Sequence, residues 1–181
     1  KHQRRTRCSP RGTRGDPKGE SAGASVRGEV VAILQLTAHV FSRHLDVREN
    51  GRQISRLETA FFREAGSFTI DGVEYQIARE PGWSDFVLRA GSREMCRARR
   101  RSMFRRSFVV AYRGEDVILT PVSPFHRLCQ SWLGKTQVGE IRPRGFFSSS
   151  AAVALPEEMT RAEQVFIGWL VIVMWRRARR S

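Results

Sequence analysis

The stretch "EEMTRAEQVFIGWLVIVMWRRARRS", residues 157–181, decides the fold. It runs from acid through an almost unbroken apolar segment into a cluster of arginines. Pro156 just before it suits a first helical turn, where a missing N–H costs little. Glu157 and Glu158 complement the positive end of a helix, and Arg176, Arg177, Arg179 and Arg180 complement the negative end. The expectation is one helix over about 156–177. A bilayer span needs roughly 20 apolar residues. The apolar stretch here runs only from Val165 to Trp175, about 16 Å at 1.5 Å per residue. Toward the N-terminus it meets Gln164, Glu163 and Arg161 at once. It is apolar on every face, so protein or lipid must surround it. Its length favours a core helix, whose side chains from Phe166 to Trp175 contribute on the order of 15–25 kcal/mol of transfer free energy as an upper bound. Gly168 would let a strand or a large side chain approach closely. The rivals are a short tail anchor with basic residues left on the cytoplasmic side and an interfacial or partner-binding helix.

The residues before this helix supply what would enclose it. "LDVRENGRQISRL" sets Asn50-Gly51 between two alternating runs, a hairpin signal because both turn residues need positive φ. "SFTIDGVEYQIARE" repeats the device at Asp71-Gly72: Phe68 and Ile70 precede the turn, and Val73, Tyr75 and Ile77 alternate after it. Further turns fall near Gly91-Ser92, around Arg113-Gly114-Glu115-Asp116 and at Gly134-Lys135. "EVVAILQLTAHVF" is β-branched and aromatic-rich. No segment before Ala151 keeps a helical period. The result is a meander of short strands reaching about Phe147, a pattern of sandwiches and barrels. The expected fold class is α+β, mainly β: a closed antiparallel barrel of hairpin-linked strands around a hydrophobic C-terminal helix.

Residues 1–27 are Arg-, Gly-, Ser- and Pro-rich with almost no large apolar side chains. Such a segment cannot offset its ordering entropy by burial, so it reads as a disordered basic tail before a domain over 28–181. It contains no apolar signal-peptide core. Cys8, Cys96 and Cys129 are odd in number and widely spaced, with no metal-ligand spacing and no even disulfide framework. A reducing, cytoplasmic location is the simplest reading, peripheral to a membrane.

The formal charge is +14 over 181 residues, and lysine occurs only at Lys1, Lys18 and Lys135. That excess points to polyanionic partners, nucleic acid or an anionic membrane face. Arginine also suits phosphate oxygens better than lysine. The densest basic run, "REMCRARRRSMFRR", holds Arg93, Arg97, Arg99, Arg100, Arg101, Arg105 and Arg106 against Glu94 alone. Met103 and Phe104 are interleaved. The anion-binding candidates are Arg97, Arg99, Arg100, Arg101, Arg105 and Arg106. Anionic lipid attracts such charges at roughly 1 kcal/mol each, and a nucleic-acid backbone binds them with strong salt dependence. The blander reading is a solvated loop between strands. The terminal "RRARR" either caps the helix or meets acidic lipid.

Catalytic motifs fail inspection. "GKT" at Gly134–Thr136 lacks the P-loop glycine, Cys129 standing in its place. His39, His44 and His126 are scattered, and His44 with Asp46 on one strand face makes no metal site. Ser123 near His126 has no acidic partner, and the Glu115-Asp116 and Glu157-Glu158 pairs look structural. Cys96 lies among arginines that could lower its pKa, although a structural thiol is the plainer role. Trp83, Trp132, Trp169 and Trp175 read as core or barrel-rim residues. No enzyme, metal or cofactor is expected.

The order of these elements resembles the tubby C-terminal-like superfamily, which includes the plant LURP-one-related proteins and the phospholipid scramblases. The resemblance rests on "DVRENGRQI", "FTIDGVEYQI", "SFVVAYRGEDVILTP", "GKTQVGEIRPRGFF" and "LPEEMTRAEQVFIGWLVIVMWRR", and covers about Val30 to Arg177. It implies a closed twelve-stranded antiparallel barrel threaded by a hydrophobic helix, and a membrane-linked binding role without enzymatic chemistry. The chain departs from scramblases in having no acidic metal-binding run, which argues against calcium-driven lipid scrambling. No single position matches the lipid-headgroup site of tubby-like domains.

Overall fold

The computed structural model of the chain describes residues 33–38, 43–60, 64–81, 85–101, 107–123, 127–145 and 150–180. Twelve antiparallel strands close into one barrel. They are β1 (Leu34–Ala38), β2 (His44–Glu49), β3 (Arg52–Ala60), β4 (Ala65–Ile70), β5 (Val73–Arg79) and β6 (Phe86–Ala90), followed by β7 (Arg93–Arg100), β8 (Phe108–Tyr112), β9 (Glu115–Pro121), β10 (Cys129–Leu133), β11 (Thr136–Pro143) and β12 (Ala151–Ala154). Each strand pairs with its chain neighbour, and β1 pairs with β12 at Leu34–Val153 and Leu36–Ala151 to shut the ring. Closure leaves no unpaired edge. One helix, α1 (Arg161–Arg180), follows.

The predicted turns hold the backbone geometry their residues suit. Asn50 and Gly51 have φ of 50° and 82°, and Asp71 and Gly72 have 50° and 78°. The fourth turn is tighter than expected. Arg113 and Gly114 alone reverse the chain, and Glu115 already opens β9. Val73 is a second departure: beside its turn it is exposed, while Phe68, Ile70 and Ile77 are buried.

Alternation fills the barrel from every strand, and α1 fills what remains. Val165 to Trp175 is buried throughout. Trp169 is 1% exposed and meets Phe86 edge-on at 5.3 Å. Gly168 faces the β1–β12 seam, where an added Cβ would lie 2.8 Å from Val153 Cγ2 and 2.9 Å from Leu36 Cδ1. The close approach expected at this glycine is present. The apolar helix is the barrel's core, so the anchor alternative loses its segment. Among the described residues no helix is long and apolar enough to cross a membrane.

Two boundaries differ from expectation. The helix begins at Arg161, not Pro156. Met159 N–H bonds to the Pro156 carbonyl in a turn before it, so Glu157 and Glu158 lie outside the helix. The start is fixed by a capping box: Glu163 N–H donates to Thr160 Oγ1 at 3.3 Å, and Thr160 N–H donates to Glu163 Oε2 at 2.8 Å. The meander also continues past Phe147 into β12, a four-residue strand. Its "AAVA" is short and alanine-rich and carries little β signal of its own; pairing with both β1 and β11 defines it.

The barrel's two ends are unlike. At one end lie the five two-residue turns, Asn50-Gly51, Asp71-Gly72, Gly91-Ser92, Arg113-Gly114 and Gly134-Lys135, together with the helix N-terminus. At the other lie the longer strand-to-strand connections, of four to seven residues, and the helix C-terminus. These are called the turn end and the loop end below. Arg161 ties the turn end together through a forked pair with Glu49, at 2.9 and 2.8 Å, and a contact to Asp71.

Candidate functional site

The basic run forms a strand rather than a loop. β7 takes Arg93 to Arg100, with a register shift against β6 between Leu88 and Arg89. Cys96 and Ala98 face the core, so Arg97 and Arg99 project from the outer wall. The arginines therefore do not act as one patch.

Arg97 is committed to a neighbour. Its Nε and Nη2 donate to both oxygens of Glu94 at 2.8 and 2.6 Å. This forked bond raises the guanidinium pKa further and holds the Glu94 carboxyl below its ordinary range. Arg99 is exposed and lies across from Val109, which pairs with Ile118, which pairs with Trp132. These three apolar side chains are half-buried on the outer wall. Arg99 thus edges an apolar stripe, a combination suited to an interface between water and hydrocarbon.

Arg100 and Arg101 belong to the loop end. Arg100 ends β7 opposite Phe108, and Arg101 N–H donates to the Ser107 carbonyl at 3.1 Å. Arg105 and Arg106, with Met103 and Phe104, lie outside the described residues, as do the basic tail over 1–27 and Cys8, Trp83, His39 and His126.

The terminal arginines singled out in the sequence also reach the loop end, with Arg127, which sequence reasoning missed. α1 leaves the core at Trp175, and its last turn presents half-buried Arg176 and exposed Arg179 there. Half-buried Arg127, just before β10, joins them. Burial lowers the Arg127 pKa, and the positive charge of Arg179 lowers it further, so the two guanidiniums feel one another. Arg177 serves the fold instead: it forks onto Glu64, with Nε at 2.7 Å, and stacks 5.5 Å over the Phe86 ring. Arg79 approaches the same Glu64 at 3.5 Å. Alternating connection length was the available signal, because two-residue turns put every longer strand-to-strand connection at one end.

Other candidates resolve as structure. Cys96 is buried and its thiol pKa is pushed up to about 12, chiefly by desolvation, which overturns the reactive-thiolate reading. Arginines nearby on the outer wall cannot offset that burial. Cys129 is likewise buried and pushed up to about 12. Asp46 contacts Arg56 at 3.3 Å, and no three metal-ligating side chains come together among the described residues. An outer cleft of about 950 Å³ beside β3–β5 includes Arg43 and His44 with Glu58 and Glu74, a mixed lining with no preference for one sign of charge. Gly134 and Lys135 form a β-turn and Thr136 opens β11, which excludes a phosphate-binding loop before a helix.

Fold and surface together define a helix-filled antiparallel barrel with a basic outer strand and a basic loop end. No family model, curated protein or solved structure matches the chain.

Proposed function

We propose that this chain is a non-enzymatic module that binds acidic lipid at a membrane surface, acting peripherally from the cytoplasmic side. The observation that carries the reading is the basic loop end, where Arg100 and Arg101 at the end of β7 are joined by Arg127, Arg176 and Arg179, with Arg99 continuing the charge onto the outer wall. The helix occupies the barrel interior, which directs binding to the outside. A charge of +14 supplies long-range attraction, and each arginine near an anionic bilayer adds roughly 1 kcal/mol. The order of hairpins and core helix, resembling the tubby C-terminal-like superfamily, supports the same class of partner.

The test is co-sedimentation of the full chain with phosphatidylcholine vesicles, with and without phosphatidylserine. Binding rises with the acidic lipid, falls with salt and survives a mixed-sequence oligonucleotide competitor. Equal partition onto neutral vesicles refutes the reading. The basic charge also favours a second reading, non-specific nucleic-acid binding; oligonucleotide affinity that exceeds vesicle affinity and collapses with salt would establish it.

A further inference from the structure

We infer that the barrel docks end-on, with the loop end and the helix C-terminus against the anionic bilayer and the turn end facing away. This inference rests on the membrane reading above and specifies its footprint.

The argument begins with chain direction. Strict antiparallel pairing places the ends of β1, β3, β5, β7, β9 and β11 at one end, with the end of α1. Arginine collects there from three sources: Arg100 and Arg101 at the end of β7, Arg127 before β10, and Arg176 and Arg179 on the last turn of the helix. Because they come from different parts of the ring and from its centre, they mark a cross-section of the barrel rather than a line along it. A cross-section of positive charge fits a plane of headgroups better than it fits a strand of phosphates.

The opposite end is balanced more toward acid. Glu49, Asp71, Glu115, Asp116, Glu157 and Glu158 lie at or beside the two-residue turns and the helix entry with Arg52, Arg93, Arg113, Lys135 and Arg161, whereas at the loop end Glu64, Glu80 and Asp85 offset only part of the arginine charge. The barrel therefore carries charge asymmetry along its axis, and an anionic surface orients it before contact.

The experiment compares three pairs of charge removals in the full chain, each neutralising two arginines or lysines, on phosphatidylcholine–phosphatidylserine vesicles. Arg127→Gln with Arg179→Gln, at the loop end, lowers affinity about 25-fold, about five-fold per charge. Arg97→Gln with Arg99→Gln, on the wall, lowers it less than about five-fold, because the attraction fades within about a Debye length of the surface. Arg93→Gln with Lys135→Gln, at the turn end, leaves it unchanged. Thermal unfolding establishes that each variant is folded. If the loop-end pair does not fold, Arg101→Gln with Arg176→Gln replaces it. A loop-end effect no larger than the wall or turn-end effect overturns the end-on footprint while leaving the membrane reading intact. Failure of the unaltered chain to prefer acidic over neutral vesicles, or its preference for an oligonucleotide, overturns both.

Discussion

Gly168 sets a quantitative test of how tightly the helix is held. An added methyl would sit 2.8 Å from Val153 Cγ2 and 2.9 Å from Leu36 Cδ1, whereas carbon atoms rest comfortably at about 3.5–4.0 Å. Val153 is on β12 and Leu36 on β1, so both contacts press on the seam that closes the barrel. Overpacking a filled core costs about 1–3 kcal/mol. Alanine returns about 1 kcal/mol of helix propensity over glycine. Gly168→Ala is therefore destabilising by about 1 kcal/mol, or about 2–4 °C in Tm for a chain of this size. Gly168→Leu exceeds that several-fold, since the further carbons have no space. In a Val153→Ala background the closer contact is gone, and Gly168→Ala becomes neutral or stabilising. Chemical denaturation of the four members of this cycle measures the coupling. A stabilising Gly168→Ala that is indifferent to Val153→Ala would refute the packing of α1 against the seam.

Three further outcomes follow from the same architecture. Ending the chain at Glu163 removes the ten apolar side chains between Val165 and Trp175, each buried; at about 1.5–3 kcal/mol each as an upper bound the loss exceeds a typical stability of about 5–15 kcal/mol. Circular dichroism should then show no cooperative unfolding, and a sharp transition would contradict the core role. Thr160→Ala removes the capping hydroxyl on Glu163 N–H and lowers stability by about 1 kcal/mol in urea unfolding, while Thr160→Ser retains most of it. Cys96 and Cys129, with pKa values pushed up to about 12 from 9.0, keep their protons when folded. The unfolded chain releases them near 9, so their contribution is intact below about 9 and is lost as pH rises toward 12. In a Cys8→Ser protein, alkylation at neutral pH should be slow when folded and fast in denaturant; rapid alkylation of the folded chain would contradict the burial.

Much of the fold was legible because its signals are local. Asn50-Gly51 and Asp71-Gly72 name their own turn geometry, and a segment from Val165 to Trp175 that is apolar all round demands enclosure. What escaped was set by partners distant in sequence. β12 exists through its neighbours β1 and β11, which no property of "AAVA" announces. Pro156 mimicked a helix start, but the Thr160–Glu163 capping box, also present in the sequence, outweighs it. The candidate site was legible as charge and not as geometry. Composition grouped the arginines from Arg93 to Arg106, whereas strand alternation separates Arg97 and Arg99 from Arg100 and Arg101. Arg127, Arg176 and Arg179 join the latter only through the topology.

Closure of the ring by its first and last strands has a consequence for how the molecule is made. As synthesis proceeds from β1 to β11, each new hairpin can pair with the one before it. The growing sheet nevertheless keeps two open edges and an apolar inner face with nothing to cover it. Both deficiencies end together, when β12 reaches β1 and α1 enters. The β1–β12 register joins residues such as Leu34 and Val153, and contacts so distant along the chain are slow to form. The nascent protein therefore passes through a long interval in which it is sticky and incomplete. A ribosome stalled before Ala151 would present a chaperone client rather than a partly finished barrel.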